Sequence, residues 1–391
     1  MNKLILHTDI QEFINKNLNT DISKLLFKGS PFKDVSIQEI VEQIEAKKKA
    51  EKKLPTWFKS QQIYYPNKLN IEQTSSEITA KYKSTLLQGN TLIDLTGGFG
   101  IDAYHFTNVF KKVTHCEHNE WLSAIVKHNL QQLGIKNIET IATDGIDYLK
   151  RHEEHFDCIY IDPSRRDDAK GKVFLLKDCE PNLPKHLETI FQFSDNILIK
   201  TSPLLDITNG IHELKNVSEI HVVAVENEVK ELLFLLKKGF NGVIKIKTIN
   251  IKKDDIETFE SVYQSSEEAT FSSPLKYLYE PNATILKAGL FNEASHQLKI
   301  NKLHVNSHLY TSIEFMEFPG RSFEIIQIIP YNTKEIKKHI PSLKANITTR
   351  NFPETVAQIR KKTKLKDGGD QYLFFTTDNN NKHIVLVCKK V

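Results

Sequence analysis

Leu92-Ile93-Asp94-Leu95-Thr96-Gly97-Gly98-Phe99-Gly100-Ile101-Asp102 is the stretch that decides the fold of this 391-residue chain. Its first half is an apolar run of strand length, its second a glycine-rich turn, and Ala103–Phe110 beyond it has helical periodicity. A strand entering a helix through such a turn needs glycine where the backbone bends tightly and admits a ligand without a Cβ in the way. The helix start then supplies free amides. The spacing D-x-T-G-G-x-G departs from the G-x-G-x-x-G of a dinucleotide fingerprint, which makes a nicotinamide dehydrogenase the weakest reading.

Outward from this stretch, from Asn90 to about Lys247, short β-branched runs alternate with helical segments. Thr91–Leu95, Lys112–Cys116, Ile138–Ala142, Phe156–Ile161 and Ile197–Lys200 read as strands, Trp121–Leu133 and Leu183–Phe193 as helices. That rhythm predicts right-handed βαβ units and a parallel sheet with helices on both faces. Glu219–Glu226 and Lys230–Lys237 lie too close together for a crossover and predict an antiparallel pair at the end of the sheet. In an open parallel sheet the strand ends meet in one crevice. The second strand ends in Cys116-Glu117-His118, roughly 20 residues after the turn, where a carboxylate accepts hydrogen bonds from the ribose hydroxyls of an adenosine cofactor. The third ends in Ala142-Thr143-Asp144-Gly145, a carboxylate within reach of an adenine amino group, and the fourth delivers Asp162-Pro163-Ser164-Arg165-Arg166. Any one of these acids can simply cap a helix, but Asp94, Glu117 and Asp144 at three successive strand termini point to a site.

Taken in order, the glycine turn, the acids, the D-P-S-R-R element and the terminal hairpin resemble the class I S-adenosylmethionine-dependent methyltransferases over about Leu86 to Phe240. The resemblance implies an α/β fold with a Rossmann-like seven-stranded sheet. It implies S-adenosylmethionine as cofactor, with Asp94, Thr96, Gly97, Gly98 and Gly100 around the methionine part, Glu117 at the ribose and Asp144 at the adenine. Asp102, His118 and Gly145 belong to the same group, and Gln73 and Ser75 would close over the cofactor. The D-P-S-R-R element also resembles the D/N-P-P-aromatic motif with which amino-methylating members hold an exocyclic amine. The Asp162 carboxylate and the Pro163 carbonyl can accept the amine hydrogens and aim the nitrogen lone pair at the sulfonium methyl. Here Ser164 replaces the second proline and Arg165 the aromatic. Arg165 and Arg166 read equally as a clamp on a substrate phosphate or carboxylate, or as an exposed loop paired with Asp167 and Asp168. Covalent pyrimidine-C5 chemistry needs a thiolate beside the cofactor, and neither Cys158, inside a strand, nor Cys179 stands at the expected place.

Most of the remaining chain is similar to a narrower bacterial family with a helical N-terminal part, a ferredoxin-like segment and a THUMP-like C-terminal domain. The residues carrying that similarity are Glu72–Glu77 with Ala80, Tyr82 and Lys83, Tyr279–Asn282 through Lys287–Gly289, Asn306–Tyr310, Phe318–Arg321, and Arg350–Pro353 with Lys366–Asp370. It implies helical residues 1–87, a cofactor-binding domain over 88–247, a linker and ferredoxin-like segment over 248–318, and a THUMP-like domain over 319–391. Helices capped at Asp9, Asp21 and Ser36, the last with Glu39 as a capping box, are expected in the first part, and Ile251–Glu268 reads as a linker or edge segment. Because THUMP domains bind structured RNA, the partner implied is RNA, tRNA or rRNA. Charge gives a separate check. Pro319–Val391 holds 11 Lys and 3 Arg against 6 acids, a net +8, so the chain's overall +4 leaves −4 for residues 1–318. A basic module on an acidic body suits phosphate binding, with Arg350, Arg360, Lys361, Lys362, Lys364 and Lys366 as candidate contacts, although a solvated helix face explains the last five too.

The chain as a whole is too neutral for a histone-like binder, and no apolar run approaches the roughly 18 residues of a spanning helix or the form of a signal peptide, so a cytoplasmic protein without a membrane partner is expected. Cys116, Cys158, Cys179 and Cys388 form no ligand-spaced cluster, and neither a disulfide framework nor a metal is expected. The sequence leaves oligomeric state open. The leading reading is a methyltransferase acting on an RNA base, with Asp162, Pro163, Arg165 and Arg166 at the reacting group. A methyltransferase of protein or small molecules and a non-catalytic RNA-binding protein stay beside it.

Overall fold

A computed structural model describes residues 1–152, 154–165 and 175–391. Arg166, Asp167 and Asp168 lie outside the described residues, and for Arg165 only the backbone is described. The chain gathers into two compact units, Met1–Ser218 with Leu232–Gly242, and Glu219–Glu231 with Val243–Val391.

The first unit is built on β1 (Thr91–Asp94), β2 (Lys112–Glu117), β3 (Ile138–Ala142), β4 (Cys158–Ile161) and β5 (Asn196–Thr201), parallel to one another in the order 3-2-1-4-5. β6 (Val217–Val225) and β7 (Glu228–Lys237) are joined by Glu226 and Asn227, both at positive φ, the two-residue turn whose twist suits a hairpin. It is β7 that pairs antiparallel with β5. Within the first unit the strands thus run in the order 3-2-1-4-5-7, parallel strands closed by an antiparallel one as in a class I methyltransferase sheet. Near-continuous burial of β1, β2, β4 and β5 follows from helices on both faces.

Ahead of the sheet come α1 (Thr8–Lys16), α2 (Ile22–Lys28), α3 (Ile37–Lys53), α4 (Pro55–Lys59), α5 (Lys68–Gln73) and α6 (Glu77–Ser84). Asp21 caps α2, and Ser36 with Glu39 forms the capping box of α3, as their spacing predicts. Asp9 is not a cap. α1 starts two residues earlier than such a cap requires, at Thr8 with His7 at the cap position, and Asp9 accepts a hydrogen bond from the next amide instead. These helices share one apolar core with the glycine loop, the start of α7 (Ile101–Phe106) and α8 (Glu120–Gln132). Trp57 packs on Phe99 and Tyr104, and Asn129 of α8 bonds both the amide and the carbonyl of Tyr64 at 2.9 Å. The packing fixes α5 and α6 beside the mouth of the sheet. No helix among the described residues is long and apolar enough to cross a membrane.

In the second unit two strands follow that a seven-stranded sheet does not have. β8 (Lys245–Ile251) pairs parallel with Glu219–Val225 of β6, and β9 (Ile256–Val262) pairs antiparallel with β8. The hairpin is therefore not terminal, and of the two readings of Ile251–Glu268 the edge segment holds, with Ile256–Val262 as the edge strand. Its polar, alternating sequence suits a strand with one open edge. The rest is a sheet of seven strands in the order β11-β12-β10-β13-β16-β15-β14, namely Asn301–Lys302, Tyr310–Ser312, Tyr277–Pro281, Gly320–Pro330, His383–Lys390, Gln371–Thr377 and Asn346–Arg350. Residues 277–312 and 320–390 thus contribute to one sheet, bridged by the antiparallel pairing of β10 with β13. Gly320 is required at that junction, since a Cβ there would lie 2.2 Å from the carbonyl oxygen of Glu280.

Candidate active site

The C-terminal ends of β1 to β4 open on a cavity of about 350 Å³ in the first unit, walled on the other side by Asn70, Gln73, Thr74 and Ser75 from the end of α5 and the turn after it. The glycine turn after β1 forms its floor. Gly98 and Gly100 have φ of +53° and +76°, where L side chains are strained, and a Cβ on Gly97 would strike the buried His115 imidazole at 2.3 Å. Thr96 ties the turn to the next strand end, its hydroxyl accepting from the Asp162 amide at 2.7 Å.

The acids read from the sequence converge here, each held differently. Glu117, at the end of β2, is 6% exposed and accepts from the Gly98 amide at 2.9 Å on one oxygen and the Asn119 amide at 2.8 Å on the other. Each oxygen has a second acceptor site, and Oε1 lies 3.4 Å from Nδ1 of His118. His118 beside it is exposed. Asp94 is buried and accepts from the Thr96 amide at 3.0 Å. Burial first, and then the Asp102 and Asp162 carboxylates, raise its carboxyl well above the usual carboxylate range. Asp144 is exposed at the rim and accepts from the Asp147 amide in the first turn of α9 (Gly145–His152). Gly145 lines the same wall, and a Cβ there would stand 2.4 Å from the Leu95 carbonyl oxygen, so its glycine serves close packing of α9 on the end of β1.

Asp102, in the first turn of α7, borders the cavity but spends its oxygens inward. Oδ2 accepts from the Ser75 hydroxyl and the Tyr160 hydroxyl, both at 2.8 Å, and Oδ1 faces the Lys83 ammonium at 3.2 Å. Lys83 is fully buried, and it also donates to Ser75 at 3.1 Å. Burial opposes the charge on Asp102, yet Lys83 and then Lys200 hold its carboxyl below its ordinary value. Asp162 pairs through Oδ2 with Lys200 of β5, while Pro163 is buried. Ser164–Arg165 forms a two-residue antiparallel ladder with Cys179–Glu180, which brings Glu180 and Pro181 to the cavity wall. All four cysteines are buried, and burial pushes the Cys158 thiol up to about 11, unsuited to a resting thiolate nucleophile.

Lys83, Tyr160, Lys200 and Glu180 escape a reading by sequence spacing. Lys200 leaves a trace, a cation at the end of an otherwise apolar central strand. Lys83 stands in the sequence only as part of the family similarity, because a lysine in a short helix ordinarily reads as solvated and its burial has no local mark.

The candidate RNA contacts lie in the second unit. Arg360, Lys361 and Lys362 are on the helix Val356–Thr363, where Arg360 pairs with Asp367 and Lys362 with Glu354 at 2.7 Å. Lys361, Lys364 and Lys366 are exposed without an ion pair among the described residues. Arg350, at the end of β14, bonds Glu280.

Comparison with known proteins agrees with this geometry. A family model described as conserved hypothetical protein 95 matches residues 57–177, a ferredoxin-like domain matches 277–319 and a THUMP domain-like model matches 320–390. The crystal structure of a protein of Porphyromonas gingivalis W83 assigned as a methyltransferase is 32% identical, covering 100% of this chain and 99% of its own, with a TM-score of 0.89. An uncharacterized RNA methyltransferase of Mycoplasma mobile is 26% identical over 191 residues, 46% of this chain, and the match spans about half (52%) of that relative's length. A Streptococcus mutans protein also assigned as a methyltransferase, crystallised with S-adenosylhomocysteine, aligns over 41% of this chain and 96% of its own at 16% identity and a TM-score of 0.30. The full-length match, with a class I sheet order and the ferredoxin-like and THUMP-like segments in sequence, shows that the chain belongs to the methyltransferase family of the Porphyromonas gingivalis protein.

Proposed function

We propose that this methyltransferase-family protein uses S-adenosylmethionine to methylate a base in RNA. One observation carries the cofactor reading: the ends of four adjacent strands deliver a glycine cradle and the acids Asp94, Glu117, Asp144 and Asp162 to a single cavity. The fit is chemical. A cationic ligand suits an acid-lined cavity, the open acceptor sites of Glu117 suit a vicinal diol, and the turn carries no side chain at Gly98, whose φ of +53° favours glycine. When bound, the cofactor supplies a methyl group on a sulfonium. The chain's part is to position the acceptor: Asp162, anchored through its amide to Thr96 and through Oδ2 to Lys200, keeps Oδ1 for an exocyclic amine hydrogen. In this proposal Arg165 and Arg166 contact the substrate, as the D-P-S-R-R resemblance implies.

Support for RNA is the THUMP domain-like match on a segment of net charge +8, together with the name of the Mycoplasma relative. In this proposal residues 1–87 frame the cofactor mouth, 88–247 bind the cofactor, and 248–318 with 319–391 hold the RNA, Lys361, Lys364 and Lys366 being its free cations. Titration calorimetry should give micromolar affinity for S-adenosylmethionine. Gly98→Arg, which fills the cradle, or Glu117→Ala, which removes two charge-assisted bonds to the ribose, should weaken it by about 30-fold or more. A wild-type protein without measurable cofactor binding would end this reading.

A further inference from the structure

The second unit contains a cavity of about 340 Å³ that the methyl-transfer site does not use, lined by Lys252, Glu257, Glu280, Asn282, Arg321 and Arg350 among others. Three stretches that carry the family resemblance, Tyr279–Asn282, Phe318–Arg321 and Arg350–Pro353, meet there. Glu280 is nearly buried and organises two arginines. One oxygen accepts from Nε of Arg321 at 2.7 Å and from its Nη2, the other from Nε and Nη2 of Arg350 at 3.1 and 2.9 Å. The second carboxylate, Glu257, is held on one oxygen by Lys252 and on the other by Asn250 at 2.8 Å and Asn282 at 3.0 Å.

This arrangement leaves donors in surplus. A guanidinium has five N–H hydrogens. Arg321 uses three, the third on Thr348 at 3.4 Å, and Arg350 uses two, so two and three respectively have no partner among the described residues. Charge is in surplus too: two arginines and Lys252 face two glutamates, a net +1 around the cavity. The arginine side chains are 42% and 33% exposed, open to solvent yet fixed in direction by a buried carboxylate. Planar forks held in place this way match a phosphate or carboxylate at low entropic cost.

We infer that this cavity is an anion site for a backbone phosphodiester of the RNA, with Arg321 and Arg350 as its ligands and Lys252 as a flanking charge. The single charge of a phosphodiester balances the +1 of the cavity, and 340 Å³ admits a nucleotide-sized group. The assignment rests on the RNA reading above and adds to it a place and a chemistry.

The test uses the intact protein and bulk bacterial tRNA, with binding followed by fluorescence anisotropy from 50 to 300 mM KCl, both values being about the range over which phosphate binding responds to salt. Truncation to alanine would strand buried Glu280, so the variant is Arg321→Lys with Arg350→Lys, which keeps both charges and removes both forks. The double variant should bind at least 10-fold more weakly, with a log–log salt slope shallower by about 0.7–0.9 for each phosphate it no longer engages. In the wild type, millimolar inorganic phosphate should compete with tRNA more strongly than the same ionic strength of chloride. An unchanged affinity and slope in the double variant overturns the site and leaves RNA binding standing. Phosphate that binds the wild type without displacing tRNA assigns the cavity to the free anion and overturns the RNA assignment. A wild type that binds no tRNA or total RNA overturns both this site and the RNA reading.

Discussion

Asp162→Asn should lower the rate of methyl transfer by about 10²–10³-fold while leaving affinity for S-adenosylmethionine within about 3-fold. The side-chain volume is kept, and the backbone stays anchored because the hydrogen bond to Thr96 comes from the main-chain amide at 2.7 Å. What changes is the acceptor. The carboxylate can pair with Lys200 on one oxygen and receive an amine hydrogen on the other, whereas an asparagine amide has a single oxygen for both tasks. The loss should therefore appear in kcat, measured with RNA from a strain lacking this protein. A merely structural role would instead lower the melting temperature and cofactor affinity together, and a kcat within about 3-fold of wild type would remove Asp162 from the reaction.

Lys83→Met should destabilise the protein by about 3–5 kcal/mol at neutral pH, the cost typical of breaking a buried ion pair from one side. Lys83 is fully buried, and its ammonium faces the nearly buried Asp102 at 3.2 Å, so the variant keeps the volume and strands the carboxylate. The pH dependence separates charge from packing. In the wild type the Asp102 carboxyl is held below its ordinary value of 3.8, so its contribution is present above that pH and is lost as the pH falls through the lowered value. Without Lys83 the carboxyl loses the largest influence holding it down and moves up, while Lys200 and the Ser75 and Tyr160 hydroxyls still favour its charge. The deficit of the variant should then shrink as the pH falls toward 4 and Asp102 takes up a proton, whereas a packing defect would not change with pH. Adding Asp102→Leu to Lys83→Met should restore part of the stability, read as the coupling energy of a double-mutant cycle. Additive effects of the two substitutions would mean that the pair does not interact.

The parts of this molecule legible in the sequence are those written by local spacing. The turn from Asp94 to Gly100, the acids at 117, 144 and 162, and the Ser36–Glu39 capping box each sit within a few residues of the feature that explains them. The hairpin is legible as a pair, since Glu226 and Asn227 leave no room for a crossover, but its place is not, because the strand that continues beyond it, Lys245–Ile251, pairs with β6 by register and without any local mark. The same holds for the site. Lys83 meets Asp102, Lys200 meets Asp162, and Arg321 and Arg350 meet on Glu280 across 41 and 70 positions of chain, pairings that only the tertiary fold creates. A lysine count also cannot separate a free cation from a paired one: Arg360 and Lys362 share a helix with Lys361 but face Asp367 and Glu354.

The most direct measurement is methyl transfer itself. Purified protein is incubated with methyl-labelled S-adenosylmethionine and total RNA from a strain lacking this protein, and the RNA is digested and its nucleosides separated by mass spectrometry. The expected result is label in one base-methylated nucleoside, absent when Gly98→Arg replaces the wild type and absent from RNA of the parent strain, already modified. Label found only in protein or small molecules, or no transfer to any fraction by a protein that binds the cofactor, would contradict RNA base methylation.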